Sequence, residues 1–253
     1  MIVIKLGGRV QSQGELVSAL LARWNAAPGA ICVVHGGGDE VSTLQRQAGR
    51  EPTFINGRRV TSDEDMDLVR MVLSGSANKR LVSSLVAAGL PAVGISGEDA
   101  GLIEARPIDL ASFGRSGTPV AIRTHVLESL LLSGFMPVIS PVARDISRTG
   151  AGALNVNGDD AAAAIASALR AELWMIADVK GVLDADRNVI SSVDEAATSV
   201  LVSSGVVNKG MHAKLEAGFA AISKGATAVR IAGLEALTSA GVGQGTLLTA
   251  STS

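Results

Sequence analysis

Short apolar runs alternate along the chain with longer segments in which apolar residues recur every three or four positions. Several of the short runs are apolar at consecutive positions, as strands are when helices cover both faces of a sheet. The strands predicted in this way are Ile2–Leu6, 31–34, 92–95, 136–140, 173–177 and 228–231. The helices predicted between them are 15–25, 39–48, 62–88, 125–133, 159–171 and 211–224. This order predicts an α/β fold, a three-layer sandwich whose central sheet is mainly parallel.

Two regions add detail to this alternation. Residues 102–105 and 120–123 are short apolar runs separated by Gly114 and Gly117, which predicts an antiparallel hairpin. A long alanine-rich helix ends near Arg170, and a new strand begins after it. We therefore predict two lobes, residues 1–170 and residues 171–253.

The composition is that of a globular protein and excludes several classes of function. The 253 residues are 47% hydrophobic and 18% charged, which is enough apolar material for a sizeable core. Aromatic residues make up 2% and the formal net charge is −2, so the chain has neither stacking platforms nor a broad basic surface for nucleic acid. No apolar run approaches the roughly 20 residues of a membrane span, and no signal-like segment precedes the first strand. We expect no nucleic acid partner, no membrane contact and a cytoplasmic location.

Glycines cluster where the first two predicted strands end. The first strand runs into residues 5–8, with the sequence KLGG, and the second into residues 35–38, HGGG. Ligands bind at the carboxyl ends of strands in open α/β sheets, and glycine lets bare N–H groups approach an anion closely. Two such loops side by side predict a phosphate cradle, with two tight strand-to-helix turns as the alternative. Neither loop matches the P-loop or the dinucleotide fingerprint, so nucleotide chemistry here requires another architecture.

Three charged residues are candidates for a phosphate site because of their positions. Lys5 ends an otherwise apolar strand, where an ammonium group is costly unless it meets an anion. Asp159 belongs to the acidic turn 155–160 and would lie in the first turn of a helix, where a capping role is favoured. Lys214 lies in a polar segment that equally fits the start of a surface helix. From the residues alone, a cap and two solvated lysines remain open beside a shared phosphate site.

Seven short motifs occur in a fixed order along the chain. They are residues 5–8 (KLGG), 34–38 (VHGGG), 56–61 (NGRRVT), 77–79 (ANK), 155–159 (NVNGD), 178–182 (DVKGV) and 210–214 (GMHAK). Their order and approximate spacing resemble the amino acid kinase family, and the match spans nearly the whole chain. The resemblance implies that family's carbamate kinase-like fold with two lobes. The first lobe would bind an acyl amino acid and mediate dimerisation, and the second would bind ATP.

The resemblance also implies a reaction. The γ-phosphoryl group of ATP would pass to the side-chain carboxylate of an N-acylated amino acid, with N-acetyl-L-glutamate of arginine biosynthesis as the expected substrate. By motif match, Lys5 would stabilise the transferring phosphoryl group, Lys214 the leaving ADP, and Asp159 would orient both ammonium groups. The N–H groups of Gly8 and Gly37 would complete the cradle. Mg²⁺ is expected only through the ATP phosphates, because the three histidines are too scattered to form a metal site.

Further contacts carry over from the same motifs. Arg59 would bind the substrate α-carboxylate through two parallel hydrogen bonds, whereas Arg58 is predicted to face solvent. Asn155 would hydrogen-bond the substrate, close to the backbone of Gly37 and Gly38. The residues that would contact adenosine and its phosphates are Asp178, Val179, Lys180, Gly181, Val182, Leu183, Val206, Val207, Asn208, Gly210 and Met211.

Other expectations concern assembly, regulation and alternative functions. Asn78 and Lys79 are predicted to be structural, and the long apolar helix after Ser62 predicts a homodimer formed through the first lobe. Arginine-inhibited members of the family have an extra helix before the first strand, and no such helix is predicted here. The resemblance therefore implies neither feedback inhibition by arginine nor a hexamer. Two alternatives stay open: a kinase for an N-acetylated or carrier-bound α-aminoadipate in lysine biosynthesis, and a non-catalytic amino-acid-binding regulatory module. An acidic carrier protein would be attracted by a basic surface around the pocket, so the net charge of −2 is slight evidence against a carrier-bound substrate. A non-catalytic sensor would not need two lysines and an aspartate at a phosphate site.

Overall fold

The computed structural model describes residues 1–238, 241 and 243–250. Its strands are β1 (Ile2–Leu6), β2 (Ile31–His35), β3 (Phe54–Ile55), β4 (Arg58–Arg59), β5 (Ala92–Gly97), β6 (Ile103–Pro107), β7 (Ser116–Ile122), β8 (Met136–Asp145), β9 (Ala153–Val156), β10 (Glu172–Ile176), β11 (Ser192–Val193), β12 (Ala228–Ala232) and β13 (Thr246–Leu248). Its α-helices are α1 (Leu16–Ala26), α2 (Gly38–Gln47), α3 (Asp63–Val69), α4 (Asn78–Ala87), α5 (Leu110–Phe113), α6 (His125–Leu132), α7 (Gly158–Ala168), α8 (Glu195–Ser203) and α9 (Lys209–Ser223). Every strand and helix predicted from the sequence is present. None of the helices in the described ranges combines the length and the apolar character needed to cross a bilayer.

One large sheet organises the described residues, with the strand order β11-β13-β12-β10-β1-β2-β8-β6-β7-β9 and with β5 paired to β8. Strand β1 pairs in parallel with β2 and β10, so Lys5 lies beside Val34 and Met175. Within the sheet, antiparallel pairing among the described residues is confined to β12 with β13, β6 with β7 and β8 with β9. The predicted mainly parallel sheet and the predicted hairpin are confirmed. The sheet runs across the boundary expected near Arg170, and the division into two lobes stays a prediction.

Helices cover both faces of the sheet and divide its core in two. Along β1, Ile2, Ile4 and Leu6 share a core with α1 and α4, whereas Val3 belongs to the core formed with α7 and α9. Successive side chains of a strand point to opposite faces. The Lys5 side chain therefore lies on the same face of the sheet as that of Val3. Helices α7 and α9 pack on this face, so Lys5 can contact residues of these two helices.

The long helical segment predicted at residues 62–88 is continuous, but its winding changes. Ser62 begins it with a capping box, since Ser62 Oγ accepts the N–H of Asp65 and the Asp65 carboxylate accepts the N–H of Ser62. Between α3 and α4, residues Arg70–Ala77 are π-helical, and this winding shifts the side-chain register. It brings Leu73 to the glycine loop after β2, because a Cβ added to Gly37 would lie 2.7 Å from Leu73 Cδ2. Hydrophobic periodicity predicts the helix but not this change.

The structure also contains elements that the sequence analysis did not predict. Strands β3 and β4 form a separate hairpin whose turn residues, Asn56 and Gly57, have φ values of 49° and 76°. An Asn-Gly pair is the common sequence signal for such a turn and would have identified the hairpin. Strand β9 includes Asn155, in a stretch predicted to be a turn. Helix α8 is capped by Asp194, whose side chain accepts the N–H of Ala197.

Candidate active site

Lys5 is buried at the carboxyl end of β1, where its side chain is 9% exposed. The neighbouring strands place Val34 and Met175 beside it. An ammonium group in such surroundings has lost most of its hydration and needs an anionic partner. The Asp159 carboxylate is that partner, with Lys5 Nζ 2.8 Å from Asp159 Oδ1.

Asp159 enters the site from the first turn of α7, but it does not cap that helix. Asn157 is the cap, and its Oδ1 accepts the N–H of Asp159 at 2.8 Å. The Asp159 carboxylate therefore turns inward, and its side chain is 10% exposed. The positive end of the helix dipole favours a carboxylate at this position. The capping role that the residues alone favoured is wrong for Asp159.

Lys214 reaches the same carboxylate from α9. Its Nζ lies 2.9 Å from Asp159 Oδ2, so each lysine contacts a different carboxylate oxygen. Helix α9 begins at Asn208, whose side chain accepts the N–H of Met211 at 2.9 Å, and Lys214 follows in the second turn. Residues from three distant parts of the chain thus form one charged cluster, which we call the lysine cluster: Lys5, Asp159 and Lys214. Their catalytic roles stay predictions.

Burial and the neighbouring charges shift the pKa values of Asp159 and Lys5. Burial raises the pKa of the Asp159 carboxyl, yet the ammonium groups of Lys5 and Lys214 outweigh it and bring that pKa down to about 2. Burial lowers the pKa of Lys5, and Lys214 adds to that effect while Asp159 opposes it. Asp159 is therefore ionised at neutral pH and offsets the repulsion between the two amines. With both amines protonated, the cluster has one excess positive charge, which suits an anionic ligand.

The two glycine loops lie side by side next to this cluster. The N–H of Gly36 donates to Leu6 O at 3.2 Å, and a Cβ added to Gly36 would lie 3.8 Å from Gly8 N. Within the described residues, the N–H groups of Gly8, Gly37 and Gly38 have no acceptor. These glycines stand at the start of a 3₁₀ turn and of α2, where unpaired N–H groups bind anions. The loops can therefore donate several hydrogen bonds to one phosphate.

A buried polar network orients the second glycine loop. His35 is fully buried, and burial lowers the pKa of its imidazole, so the ring is neutral. Its Nδ1–H donates to Gly36 O at 2.8 Å, which leaves Nε2 to accept from Asn78 Nδ2 at 3.1 Å. Gln11 Nε2 also donates to Gly36 O, at 3.0 Å. Because the Gly36 carbonyl is held on that side, the trans peptide turns the N–H of Gly37 the opposite way.

A cleft of about 140 Å³ opens between the second glycine loop, the β3–β4 hairpin and β9. Gly158 lines it, and a Cβ added there would lie 3.4 Å from Lys5 Cε, so the cleft adjoins the lysine cluster. Asn155 lines it as well, and its Nδ2 donates to Thr61 Oγ1 at 3.0 Å. The apolar side chains along the cleft are those of Val41, Phe54, Leu73, Ile108, Pro141 and Val156. Such a cleft fits a small molecule with both apolar and polar groups.

Arg59 lines the same cleft with a guanidinium that the protein already holds in place. Its Nη2 donates to Gly38 O at 2.7 Å and to Ser42 Oγ at 2.9 Å, and its Nη1 donates to Gln45. The ring of Phe54 covers it, with 4.7 Å from Cζ to the ring centroid. Burial lowers the pKa of Arg59, yet a guanidinium stays protonated in proteins. The sequence analysis missed Ser42 and Gln45, whose spacing of three residues places them on one face of α2.

Comparison with known proteins assigns the chain to a family. Residues 1–233 match the family model described as the amino acid kinase family. The chain belongs to the amino acid kinase family. An acetylglutamate kinase of Chloroflexus aurantiacus is 40% identical to it over 238 residues, which cover 93% of this chain and 92% of that protein.

Solved structures confirm the predicted fold. A Streptococcus mutans protein of known structure is 30% identical and superposes with a TM-score of 0.85, covering 98% of each chain. Giardia carbamate kinase is 16% identical, with a TM-score of 0.70 over 99% of this chain and 98% of that one. The carbamate kinase-like architecture is therefore common to all three chains.

Two predictions about residues within the amino acid kinase motifs have different outcomes. Asn78 and Lys79 are structural, as predicted, since Lys79 Nζ donates to Gly94 O at 2.8 Å and Asn78 supports His35. Arg58 does not face solvent as predicted. Its side chain is 35% exposed, and its Nη2 lies 2.9 Å from Asp160 Oδ2. The prediction is wrong because the β3–β4 hairpin, which directs Arg58 to α7, was not recognised.

The segments predicted to bind the nucleotide in this amino acid kinase flank the lysine cluster. Residues 178–183 follow β10, which ends beside β1, and residues 206–211 lead into the helix that carries Lys214. Asp178 lies at this edge of the sheet, with its Oδ2 3.0 Å from Arg9 Nη1. The first segment thus lies at the end of β10, next to β1, and the second precedes α9, which packs on β12.

Val182 is an exception among the predicted nucleotide contacts. Its side chain is fully buried in the core. Its N–H donates to Thr246 Oγ1 at 2.8 Å, and its carbonyl accepts the N–H of Ile190 at 2.8 Å. These contacts anchor the 178–183 segment. The contact of Val182 with the nucleotide stays a prediction.

Proposed function

We propose that this protein transfers the γ-phosphoryl group of ATP to the γ-carboxylate of N-acetyl-L-glutamate, giving N-acetyl-L-glutamyl 5-phosphate in arginine biosynthesis. The observation that carries the proposal is the contact of Lys5 and Lys214 with one carboxylate, beside glycine N–H groups that have no acceptor among the described residues. Relatives named acetylglutamate kinase, from Chloroflexus aurantiacus among others, support the choice of substrate. A non-catalytic binding module would have no need of this cluster.

The chemistry of the reaction matches the charges of the site. A carboxylate is already a nucleophile at neutral pH, so the reaction needs no general base. Its difficulty is electrostatic, because an anion attacks a phosphoryl group that is itself negatively charged. Preorganised cations lower that barrier most where charge develops. Lys5 stabilises the transferring phosphoryl group, Lys214 stabilises the charge on the leaving ADP, and Asp159 holds both amines in place.

The nucleotide contacts come from backbone and loop residues. The N–H groups of Gly8 and Gly37 hydrogen-bond the phosphates, and residues 178–183, 206–208, 210 and 211 surround the rest of ATP. Among the residues the structure describes, no cluster of three or more His, Cys, Asp or Glu side chains can hold a metal ion. The Asp159 carboxylate is engaged by two lysines, so Mg²⁺ binds through the ATP phosphates, whose charge it neutralises.

The acyl amino acid occupies the cleft. Asn155 and the backbone of Gly37 and Gly38 contact it, and the Arg59 guanidinium pairs with its α-carboxylate. The γ-carboxylate then points to the lysine cluster, because the cleft adjoins Lys5 at Gly158. The fixed position of Arg59 reduces the entropy lost when substrate binds.

A hydroxamate assay tests the proposed function. Purified protein with ATP and Mg²⁺ is expected to turn over N-acetyl-L-glutamate, and hydroxylamine is expected to trap the acyl phosphate as a hydroxamate. N-acetyl-L-α-aminoadipate and N-acetyl-L-aspartate, with side chains one methylene longer and one shorter, are the matched controls. Turnover of N-acetyl-L-α-aminoadipate alone would indicate that the protein is a kinase of lysine biosynthesis instead. Absence of turnover with all three would contradict the kinase proposal.

Arg59→Lys is expected to raise the KM for N-acetyl-L-glutamate about tenfold or more and to change kcat little. Lysine retains the charge but loses the planar fork that pairs with a carboxylate through two hydrogen bonds. Initial rates measured against substrate concentration separate the two constants. A loss confined to kcat would show that Arg59 acts in the transition state rather than in substrate binding.

The proposal includes a homodimer formed through the first lobe. The helical segment after Ser62 supports it, since Met71 and Val86 are 56% and 53% exposed there. Contact with a second copy of the chain would remove such apolar side chains from water. Light scattering at micromolar concentration is expected to give twice the mass of the 25.6 kDa chain, and a monomer mass would contradict the dimer.

A further inference from the structure

An ion pair joins the two parts of the proposed site at adjacent residues. Arg58 precedes Arg59 in the β3–β4 hairpin, and Asp160 follows Asp159 in the first turn of α7. Arg58 Nη2 lies 2.9 Å from Asp160 Oδ2, and the two side chains are 35% and 19% exposed. This contact therefore joins the neighbour of Arg59, the proposed substrate-binding residue, to the neighbour of Asp159, whose carboxylate contacts both lysines.

The hairpin has other attachments, and none of them reaches α7 itself. One of them, from Asn155 Nδ2 to Thr61 Oγ1 at 3.0 Å, comes from β9, the strand before α7. Arg59 is bonded to α2, the N–H of Thr61 donates to Phe113 O at 3.1 Å, and Ser116 Oγ donates to Arg59 O. Among the described residues, the contact of Arg58 with Asp160 is the one polar side-chain contact between the hairpin and α7. A two-stranded hairpin is marginally stable by itself, so its position depends on such attachments.

The position of Asp160 is not explained by the needs of its own helix. An acidic residue three positions after the cap commonly bonds back to the cap's N–H. Here the Asp160 carboxylate is turned to Arg58 instead. Burial raises the pKa of Asp160, Arg58 opposes this, and the nearby carboxylates of Asp159 and Glu216 add to it. A second carboxylate next to Asp159 is unfavourable without Arg58, which indicates that the pair functions as a unit.

Arg58 also separates two spaces. It lines the cleft on one side and, on the other, the groove between α7 and α9 that Asp160 and Glu216 line. The pair thus stands at the wall of the cleft nearest α7. A shift of this wall would change the separation between Arg59 and Asp159, and misplacement by about 1 Å can cost about 100-fold in rate.

We propose that Arg58 and Asp160 are positioning residues whose ion pair anchors the β3–β4 hairpin to α7 and fixes Arg59 relative to Asp159. This inference rests on the proposed function for its kinetic consequences. The alternative is that Arg58 attracts the anionic substrate directly and that Asp160 merely weakens that attraction. The two accounts predict opposite signs for the loss of Asp160.

A double-mutant cycle distinguishes them. Arg58→Leu and Asp160→Asn are each expected to raise the KM for N-acetyl-L-glutamate about tenfold, and the double variant is expected to be no worse than either. The KM for ATP should change less than twofold, and Arg58→Lys should restore part of the loss. A lower KM in Asp160→Asn, or additive losses in the double variant, would overturn the proposal. Arg123→Leu is the matched control, since it breaks a comparable pair with Glu104 at the end of β7 remote from Ser116.

Hydrogen exchange supplies a test that does not depend on activity. In the full-length protein without substrate, amides of residues 53–60 are expected to exchange faster, by about tenfold, in both single variants and equally in the double variant. Arg123→Leu should exchange as the wild type does in this segment. Unchanged exchange of the hairpin would overturn the proposal even if the kinetics changed. A wild-type protein that phosphorylates no acyl amino acid would contradict the proposed function. The exchange result alone would then decide whether the ion pair of Arg58 with Asp160 anchors the hairpin to α7.

Discussion

Lys214→Ala is expected to lower kcat by roughly two to three orders of magnitude, and Lys5→Ala by a similar factor. Each amine is a preorganised cation directed at charge that develops during phosphoryl transfer, and the loss of one such donor costs about 100- to 1,000-fold. The loss is expected in kcat rather than in KM, because the charge that each amine stabilises is largest in the transition state. Initial rates with saturating ATP and N-acetyl-L-glutamate measure it, and near-unchanged KM values would accompany it.

Lys224→Ala is the matched control for this prediction. Lys224 follows the last residue of α9, the helix that also carries Lys214, and it is exposed. Its replacement removes the same side chain and charge, yet kcat should stay within about twofold. The melting temperature of each variant shows whether the fold persists. Lys214→Ala with full activity and an intact fold would remove Lys214 from the mechanism.

Sequence patterns were sufficient for the scaffold and favoured an anionic partner for Lys5, with a solvated lysine still open. The alternation of apolar runs and amphipathic segments reflects strands covered on both faces, and this constraint is strong because any other arrangement exposes apolar surface. A lysine at the end of such a strand is unusual enough to indicate an anion. For Lys214 the local sequence equally fitted the start of a surface helix, and for Asp159 it favoured a helix cap. Only the combination of seven motifs connected them.

The remaining features depend on contacts between distant residues or on the register of the backbone. The π-helical turn at Arg70–Ala77 leaves the apolar period almost unchanged, so no sequence pattern reveals that it brings Leu73 to Gly37. The pairing of Arg58 with Asp160 joins residues 102 positions apart. The Asn56-Gly57 turn was a usable signal for the hairpin, but two-residue strands are too short to show alternation.

The lysine cluster is also a compromise between stability and function. Lys5 is buried with its pKa lowered, so at neutral pH its protonated form costs folding free energy that Asp159 offsets only in part. A buried ion pair is seldom more stable than packed apolar residues, and its presence at the end of an apolar strand therefore indicates a selected function. In the proposed reaction, the ATP phosphates supply the further negative charge. Nucleotide binding should accordingly stabilise the cluster.

Asp159→Asn is expected to reduce kcat by roughly 100-fold, because the amide cannot orient two ammonium groups and small displacements of reacting groups have effects of this size. It is also expected to lower the free energy of unfolding at pH 7 by about 3 kcal/mol or more, since the two amines then face each other without a counterion. Urea denaturation measures the second effect. Asp186→Asn, at an exposed position after β10, is the control and should leave both quantities unchanged.

The difference in stability between wild type and Asp159→Asn should shrink in acid. The pKa of Asp159 is about 2 in the folded protein against about 4 in an unfolded chain, so its contribution is complete above about pH 4 and is lost as the pH falls through about 2. The contribution lost is about 2 to 3 kcal/mol, at about 1.4 kcal/mol per pKa unit. Lys5 does not alter this slope, because its lowered pKa changes stability only at pH values where its amine deprotonates. Denaturation series at pH 7, 4 and 2.5 therefore isolate Asp159. A difference that stays constant over this range would show that the two lysines do not hold Asp159 in its ionised form.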